Sequence, residues 1–366
     1  MAQHSDLAAI QPIPYFPGVS PLPEWGRTAG RDQAGLRIRH APMFYVPKFL
    51  KSLDGMWLGR AVRRQLAELK QGGQLDIVDA HFGYPEGIGA MATARRLGVP
   101  CVVTLRGFEA EYLRKPIIGA QIRRLLQNVD GCICVGHFLR GLAIDHGANP
   151  ETTRVIHNAI DRNMFYPADA RAVRQQLGLD PSAPIVVSVG HLIPRKRHHV
   201  LAAAFAKVLK HHPATKLLII GGEEFDRSYT RQMKEQISAA GIGESVDLLG
   251  KVDARQIASY LQAADVFALG TQREGCCNAV LESLACGLPV VTTPVGDNGW
   301  FVKDGENGYL VPVDDSEAMA AALRKVLDKR PWDRQQISAG LAVGDWDAVA
   351  RDVLAFFDTI LTAPHN

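Results

Sequence analysis

The chain has 366 residues, enough for two domains of ordinary size, and its 47% apolar and 22% charged residues are typical of a globular protein. No apolar run reaches the roughly 18 residues that a membrane-spanning helix requires, and a net charge of +3 is too small for a nucleic-acid-binding surface. The composition therefore predicts no membrane-spanning helix and no nucleic-acid partner.

Charge is uneven along the chain. Residues 1–165 carry 20 Lys and Arg against 14 Asp and Glu, whereas the remainder carries 21 against 24. The mild excess of positive charge in residues 1–165 is compatible with binding to an anionic membrane surface or to a phosphorylated acceptor. It is equally compatible with ordinary variation in surface charge. The first 25 residues lack the basic segment of a signal peptide, and the six cysteines form no C-x-x-C pair, so we expect a cytoplasmic protein with reduced thiols.

Apolar runs alternate with amphipathic stretches, a pattern that predicts parallel sheets with crossover helices. The strands predicted in the first half are 77–80, 101–105, 131–135 and 154–156. The helices predicted between them include 88–96, 119–127 and 138–145. This series indicates one doubly wound α/β domain.

A connecting stretch, 158–180, leads into a second series of the same kind. Its predicted strands are 185–189, 216–220, 246–249, 266–268, 290–292 and 309–311. Its predicted helices are about 196–210, 226–240, 253–264, 277–286 and 315–328. We therefore assign residues 1–165 to an N-terminal domain, 166–345 to a C-terminal domain and 346–366 to an amphipathic C-terminal helix.

Open α/β sheets bind ligands at the carboxyl ends of their strands, and the chain places polar side chains there. His81 ends the first predicted strand, and Arg106 and Glu109 follow the next one. A lone histidine is more often structural, and Arg106 with Glu109 could equally form a salt-linked loop. In the second series, Lys196 follows a strand and could neutralise a diphosphate or simply lie in solvent.

Glu274 and Glu282 lie across a predicted loop-to-helix junction. The apolar spacing after Asn278 predicts a helix with Asn278 as its N-cap. The first-turn amides and the positive end of the helix dipole would suit phosphate, with Glu274 accepting hydrogen bonds from a sugar and Glu282 from a ribose. From spacing alone, two solvated surface glutamates are the commoner arrangement.

The string from Glu274 to Gly296 resembles the E-x7-E segment of the family 4 retaining glycosyltransferases. Five other segments are similar to segments of the same family. They are 190–196 (G-R-L-x-x-x-K), 248–252 (the segment whose backbone holds the nucleobase in the family), 76–81 (the D-x-x-H-x-H pattern), 104–109 (T-L-[HR]-G-x-[DE]) and 158–161 (N-G-[VI]-D). The chain departs from these patterns at His191, Asp79 and Ala159, where the family has arginine, histidine and glycine.

The resemblance, which runs from about 13 to 361, implies an α/β fold of two doubly wound Rossmann-like domains facing a cleft (GT-B-like), with the C-terminal helix crossing back to the N-terminal domain. It implies transfer of a sugar from a nucleotide diphosphate sugar, with retention, to a saccharide or lipid-linked acceptor in polysaccharide or glycolipid synthesis. Peripheral membrane contact would fit such an acceptor.

The resemblance also implies roles for individual residues. His81, Lys196 and Glu274 would be catalytic, and Arg106 and Glu109 would line the acceptor side. The donor would be bound by Gly190, His191, Arg195, Lys196, Val252, Glu274, Gly275, Cys276, Asn278 and Glu282. A free histidine, with a pKa of about 6.5, is largely neutral at pH 7. Either a bound phosphate raises the pKa of His191 or Arg195 takes the role of the missing arginine, and we expect Arg195 to help.

Two other hypotheses stay open: a sugar-nucleotide epimerase or phosphorylase of the same fold, and a non-catalytic nucleotide-sugar-binding protein. The D-x-D pattern at Asp345 and Asp347 is more simply a helix N-cap, so we expect no metal and no other cofactor. Family members open with a strand, a glycine-rich loop and a helix that the nine residues before Ile10 do not supply. We therefore expect an N-terminally short chain with weak or no activity alone.

Overall fold

The computed structural model describes residues 6–16, 28–29, 37–329 and 332–363. The chain divides into two compact units. The first comprises the chain up to His157 together with the residues from Asp347 onward, and the second comprises Asn158–Trp346. None of the helices in the described ranges is long and apolar enough to cross a membrane.

The elements follow in chain order. The strands are β1 (Ala8–Tyr15), β2 (Thr28–Ala29), β3 (Arg37–Phe44), β4 (Val78–His81), β5 (Cys101–Leu105), β6 (Gly131–Cys134), β7 (Thr153–Val155), β8 (Ile185–Val189), β9 (Lys216–Ile220), β10 (Val246–Gly250), β11 (Val266–Leu269), β12 (Val290–Thr292) and β13 (Gly308–Leu310). The helices are α1 (Asp54–Gln71), α2 (Ile88–Arg96), α3 (Glu109–Tyr112), α4 (Pro116–Leu126), α5 (His137–Asp145), α6 (Ala170–Gln176), α7 (His198–Val208), α8 (Arg227–Ala239), α9 (Ala254–Ala263), α10 (Asn278–Ala285), α11 (Asn298–Phe301), α12 (Ser316–Asp328), α13 (Arg334–Ala339) and α14 (Trp346–Thr362).

The first unit contains two sheets among its described residues. Strands β4 to β7 form a parallel sheet in sequential order, and β3 pairs in parallel with β1 and antiparallel with β2. The four predicted strands of this unit are confirmed to within two residues. Strand β3 was not predicted, because Arg39, His40 and Pro42 interrupt its apolar pattern.

The C-terminal helix α14 packs against the parallel sheet of the first unit. Phe356, Phe357 and Ile360 are buried against Val102 of β5 and Ile133 of β6. At the start of β6 the chain has Gly131, where a Cβ atom would come within 2.9 Å of the Phe356 ring and 3.0 Å of Ile360. Close packing of α14 therefore requires glycine at this position, and the helix belongs to the first unit.

The division between the units falls at 157/158 rather than at the expected 165/166. The intervening residues belong to the second unit because their side chains are buried in its core, as Ile160 and Phe165 are. The Ile160 amide donates to the Gly344 carbonyl at 3.2 Å, and the Arg162 guanidinium donates to the Leu341 carbonyl at 3.0 Å. These contacts tie the segment to the end of the second unit.

The second unit is a six-stranded parallel sheet in the order β10-β9-β8-β11-β12-β13. Its central strands are fully buried, as expected for a sheet covered by helices on both faces. The strands predicted for this half are confirmed to within one residue, and each predicted helix is present. In this doubly wound order, the loops after β8 and β11 leave the sheet at the point where the strand order reverses, and ligands of open α/β sheets bind at that point.

Candidate active site

Lys196 and Glu274 meet at the point where the strand order reverses. Lys196 ends a short turn, Pro194–Lys196, in the loop after β8, and Glu274 lies in the loop after β11. The Lys196 Nζ atom is 2.7 Å from Glu274 Oε1, and Arg195 Nη1 is 3.3 Å from Glu274 Oε2. Thr271 donates its hydroxyl to Glu274 Oε1 at 2.8 Å. Three of the predicted donor-site residues are thus brought together.

The charges of this cluster support one another. Burial opposes ionisation of Glu274, but Lys196 and Arg195 outweigh it, so the pKa of the Glu274 carboxyl lies below its ordinary value. Burial also opposes the Lys196 charge, but the Cys277 and Glu274 groups outweigh it, and the pKa of Lys196 is raised. Because burial raises the pKa of the Cys277 thiol to about 11, Glu274 is the anionic partner of Lys196 at neutral pH.

A buried histidine that the sequence analysis missed supports the loop after β8. His198, at the start of α7, lies with Nε2 3.1 Å from the Gly190 carbonyl and Nδ1 3.4 Å from the Ser188 hydroxyl. Burial, with the nearby Lys196, lowers the pKa of His198 to about 4, so the ring is neutral at pH 7. Because a carbonyl only accepts, Nε2 carries the proton and fixes Gly190, over which the Lys196 side chain runs.

His191, the residue that replaces the arginine of the family pattern, lies outside this ion cluster. Its exposed ring meets Phe225 edge to face, with ring centroids 4.6 Å apart. Arg195 instead supplies the second cation beside Glu274, and it also donates to the Arg273 carbonyl at 2.6 Å. Arg195 thus lies in the ion cluster that His191 does not reach, and its role toward a donor stays a prediction.

The N-cap of the helix after Glu274 lies one residue earlier than predicted. Asn278 is the first residue of α10, and the N-cap is Cys277, whose side chain makes no capping hydrogen bond. Asn278 is not the cap because its Oδ1 atom accepts from the Asn158 side chain at 2.7 Å. The first turn of α10 therefore lacks a side-chain cap, a feature that favours binding of an anion.

Glu282 lies within α10, on a helix whose neighbouring residues Val280, Leu281 and Leu284 are fully buried. In the described part of the chain its carboxylate has no hydrogen-bond or ion-pair partner. Burial alone raises the pKa of Glu282 to about 7. A partly buried carboxylate without a protein partner is suited to accept hydrogen bonds from a ligand.

The third loop at this edge of the sheet follows β10. The Gly250 carbonyl accepts from the Gly221 amide at 2.8 Å, and Gly250 has a φ of +69°, which favours glycine. Val252 packs against the core of the second unit, just before α9. The segment predicted to hold a nucleobase through its backbone thus leaves the sheet at the same carboxyl edge as the cluster of Lys196 and Glu274.

In the first unit, His81 and Arg106 lie at the carboxyl ends of β4 and β5 and contact each other. Arg106 Nε donates to His81 Nδ1 at 3.0 Å, while His81 Nε2 is 3.1 Å from an oxygen of Asp79. Because arginine only donates, Nδ1 is unprotonated and Nε2 carries the proton. Asp79, which also accepts from the Thr104 hydroxyl at 2.9 Å, therefore holds His81 in one tautomer.

Glu109, predicted to line the acceptor side or to form a salt-linked loop, lies beneath the loops after β4 and β5. Its side chain is buried and accepts from the amides of Gly83 and Gly107, each at 2.8 Å. Gly107 has a φ of +121°, in the region that favours glycine, and the carboxylate pins the loops after β4 and β5 together. Glu109 is thus a positioning residue for the loops that carry His81 and Arg106.

Aromatic rings flank these loops. Phe108 is half exposed, with its ring centroid 6.0 Å from that of Phe82 and 6.3 Å from that of Tyr112. The sequence analysis did not identify this group, because single aromatic residues in loops have no periodicity to mark them.

Asp345 precedes α14, which begins at Trp346, so it stands at the position expected of a helix N-cap.

Two family models match the chain: Glycosyltransferase Family 4 over residues 22–163 and Glycosyl transferases group 1 over residues 169–341. A D-inositol 3-phosphate glycosyltransferase of Actinosynnema mirum is 30% identical over 313 residues, covering 78% of this chain and 72% of the relative. An N-acetyl-alpha-D-glucosaminyl L-malate synthase of Bacillus anthracis is 27% identical, covering 71% and 67%. The chain spans about two thirds of the length of the curated relatives it matches.

Solved structures show the same fold. Sucrose-phosphate synthase of Thermosynechococcus elongatus has a TM-score of 0.78 at 22% identity, covering 95% of this chain and 87% of that one. Anabaena HepE in complex with UDP and glucose has a TM-score of 0.74 at 19% identity, covering 89% and 87%. Both the sequence and the fold agree with the resemblance found at the E-x7-E segment. The chain therefore belongs to the family 4 glycosyltransferases and has their GT-B fold.

Proposed function

We propose that the chain transfers a sugar, with retention, from a nucleoside diphosphate sugar bound by the second unit to an acceptor hydroxyl. The observation that supports this best is the cluster of Lys196, Arg195 and Glu274 at the point where the strand order reverses. It places two cations and one carboxylate beside the uncapped start of α10. A diphosphate sugar needs this combination, because its phosphates are anionic and its sugar hydroxyls are donors.

The diphosphate would be bound by Lys196, Arg195 and the amides near Gly275 and Cys276. Its arrival would give Lys196 a second anion and free Glu274 to accept hydrogen bonds from the transferred sugar. Negative charge builds on the diphosphate as the glycosidic bond breaks, so fixed cations stabilise the transition state more than the ground state. The same two cations supply the neutralisation for which other enzymes use a metal, so we propose that no metal cofactor is needed.

The nucleoside would be bound by the loops that follow β10 and β11. Glu282 has no partner in the described chain, and two neighbouring ribose hydroxyls would give its carboxylate two donors. Backbone groups from Gly250 to Val252 would hold the base. Because such contacts involve only the backbone, the base is to be identified by measuring which nucleoside diphosphate sugars the chain uses.

The acceptor would be bound by the first unit, where His81, Arg106 and the half-exposed Phe108 lie together. A hydroxylated ring suits this group, since it can stack an apolar face on Phe108 and accept from Arg106. We therefore propose a saccharide or a lipid-linked sugar as acceptor, in polysaccharide or glycolipid synthesis. A cytoplasmic location with peripheral membrane contact is part of the same proposal, and the basic excess of residues 1–165 is compatible with that contact.

The experiment is mass spectrometry of products formed from a panel of nucleoside diphosphate sugars, each with and without a panel of saccharide acceptors. We expect acceptor-dependent release of the nucleoside diphosphate and an α-linked product from an α-linked donor. An epimerised or phosphorolysed sugar without any acceptor would overturn the transferase assignment. Donor binding without turnover under any condition would point to a binding protein. Lys196→Ala is the matched inactive control.

A further inference from the structure

We propose that Arg197 and Asp314 are positioning residues that hold Lys196 in place for the diphosphate of the donor. This inference rests on the role proposed for Lys196 and adds two residues outside the ion cluster described above. Arg197 directly follows the turn Pro194–Lys196, and Asp314 lies between β13 and α12. The Arg197 Nε atom is 2.8 Å from Asp314 Oδ1, and Nη2 donates to Oδ2 at 3.2 Å.

Stability of the fold does not account for this pair. Arg197 and Asp314 have φ values of +56° and +63°, in the left-handed region that favours glycine. The pair is also partly exposed, with 20% of the Arg197 side chain and 50% of the Asp314 side chain accessible to solvent, and such ion pairs add little to stability. Glycine would suit the backbone better at both positions, so the contact between the two side chains is what these residues provide.

The pair is one of two anchors of the turn that carries Lys196. Before Lys196, the Arg195 carbonyl accepts from the Gln272 amide at 2.9 Å, which ties the turn to the loop after β11. After Lys196, Arg197 closes the turn, because its amide and its Nη1 atom donate to the Pro194 carbonyl at 3.2 and 3.3 Å. The ion pair with Asp314 then fixes Arg197 to the loop after β13. Lys196 is therefore held from both sides.

The position of the turn determines where the Lys196 ammonium lies. Its side chain leaves the turn, passes over Gly190 and reaches Glu274 at 2.7 Å. Without the Asp314 anchor the turn could pivot about the Arg195 carbonyl, and Nζ would move away from the site of the diphosphate. A fixed cation stabilises charge only where that charge develops, and a misplacement of about 1 Å can cost two orders of magnitude in rate.

The first test is kinetic. Arg197→Gly and Asp314→Gly each remove the ion pair and relieve the backbone, so the free energy of unfolding in urea should change little. Each should reduce kcat about tenfold while KM for the donor changes less, because Lys196 acts on charge that grows in the transition state. The double variant should lose no more than either single variant, since both changes remove one contact. Arg197→Lys restores a charge and should recover part of kcat.

A matched control lies on the two helices that follow Arg197 and Asp314. Lys207 of α7 and Glu317 of α12 form a 2.8 Å ion pair, with Lys207 roughly 15 Å along the helix from Arg197. Lys207→Gln combined with Glu317→Gln should leave kcat unchanged. Asp314→Asn removes the charge and tolerates the left-handed backbone, so it replaces Asp314→Gly if that variant does not fold. A kcat within about twofold of the unaltered chain in the Arg197 and Asp314 variants, or an equal loss in the control, would overturn the proposal.

The second test needs no ligand. A double-mutant cycle with Lys196→Met and Glu274→Leu, followed by urea unfolding, measures how strongly these two side chains are coupled. The same cycle in the Arg197→Gly background should give a smaller coupling energy, because Lys196 is then less firmly held beside Glu274. An unchanged coupling energy would show that Lys196 is placed without help from Arg197, and the proposal would be wrong.

The two tests separate this inference from the proposed function. If the unaltered chain turns over no nucleoside diphosphate sugar, the transferase proposal fails, and the unfolding cycle alone decides whether Arg197 positions Lys196. If the unaltered chain is active and the variants keep their full kcat, sugar transfer stands and the positioning role fails.

Discussion

Lys196 and Glu274 are 78 residues apart in the chain, yet their side chains form a 2.7 Å ion pair. The pair joins the loops that follow β8 and β11, the two strands between which the sheet reverses its order. Without ligand each charge compensates the other in a buried setting. With a diphosphate sugar present, each would gain a ligand partner of its own, the phosphate for Lys196 and the sugar hydroxyls for Glu274.

The first prediction separates stability from catalysis at this pair. Lys196→Ala leaves the Glu274 carboxylate buried beside a single cation, Arg195, and should lower the free energy of unfolding by about 3 kcal/mol. It should also reduce kcat about 100-fold or more, a loss that Arg195→Ala partly shares. Replacing both partners, with Lys196→Met and Glu274→Leu, should restore stability but not activity. Urea unfolding and steady-state kinetics check this. Full activity in Lys196→Ala would contradict the phosphate role.

The second prediction concerns Glu109. Glu109→Ala leaves the Gly83 and Gly107 amides without their acceptor and should cost about 2 to 4 kcal/mol in the free energy of unfolding. Glu109→Gln keeps one acceptor oxygen and should cost less. Because the two loops carry His81 and Arg106, KM for the acceptor should rise while KM for the donor changes little. Unchanged stability in Glu109→Ala would show that water replaces the carboxylate.

The third prediction follows from the buried His198. Its pKa in the folded chain, about 4, lies below the ordinary histidine value of about 6.5, so between these values the unfolded chain binds more protons. The free energy of unfolding should therefore rise by an amount on the order of 2 kcal/mol as the pH increases from about 4 to 6.5. The same stability is lost as the pH falls through that window. His198→Gln should flatten this part of the curve. The measurement is urea unfolding at pH 5 and 7.5 for both proteins. A slope that is the same in the variant would assign it to other groups.

The fourth prediction tests the departure at His191. Because Arg195 already supplies a cation at Glu274, His191→Arg should be tolerated or should improve activity by adding a permanent charge near the phosphates. Donor KM and kcat are the quantities to compare, with His191→Ala as the control for loss of the ring. If His191→Arg abolishes activity while the fold survives, the contact of His191 with Phe225 has a role of its own.

The sheet of the second unit was predictable from sequence, because a parallel strand covered on both faces is a continuous apolar run such as Ile185–Val189. Lys196 was singled out at the end of one such run and Glu274 at the loop-to-helix junction, and the structure brings the two side chains together. What sequence did not reveal was the pairing of side chains across loops. Glu109 and its partner Gly83 are 26 residues apart. Asn158, 120 residues before Asn278, donates to the Asn278 side chain, so the N-cap of α10 is Cys277 and not Asn278. Such contacts depend on tertiary structure and leave no periodic pattern.

The last prediction joins nucleotide binding to the protonation of Glu282. Burial raises the pKa of its carboxyl to about 7, and ribose hydroxyls that donate to it would favour the ionised form. Binding of UDP should therefore release protons near neutral pH, and affinity should rise as the pH increases through about 7. Glu282→Gln should lose this release and weaken binding by about 1.5 to 3 kcal/mol, since a charge-assisted acceptor is removed.

Calorimetry in two buffers of different ionisation enthalpy measures the number of protons released by each protein. The terminal phosphate of UDP also titrates near neutral pH, but its contribution is common to both proteins, so their difference isolates Glu282. In the free protein the raised pKa has a second consequence. Between the ordinary value of about 4.5 and about 7 the folded chain binds the extra proton, so stability should fall as the pH rises through that window, and Glu282→Gln should remove the fall. Equal proton release and equal UDP affinity in the two proteins would show that Glu282 does not contact the ribose.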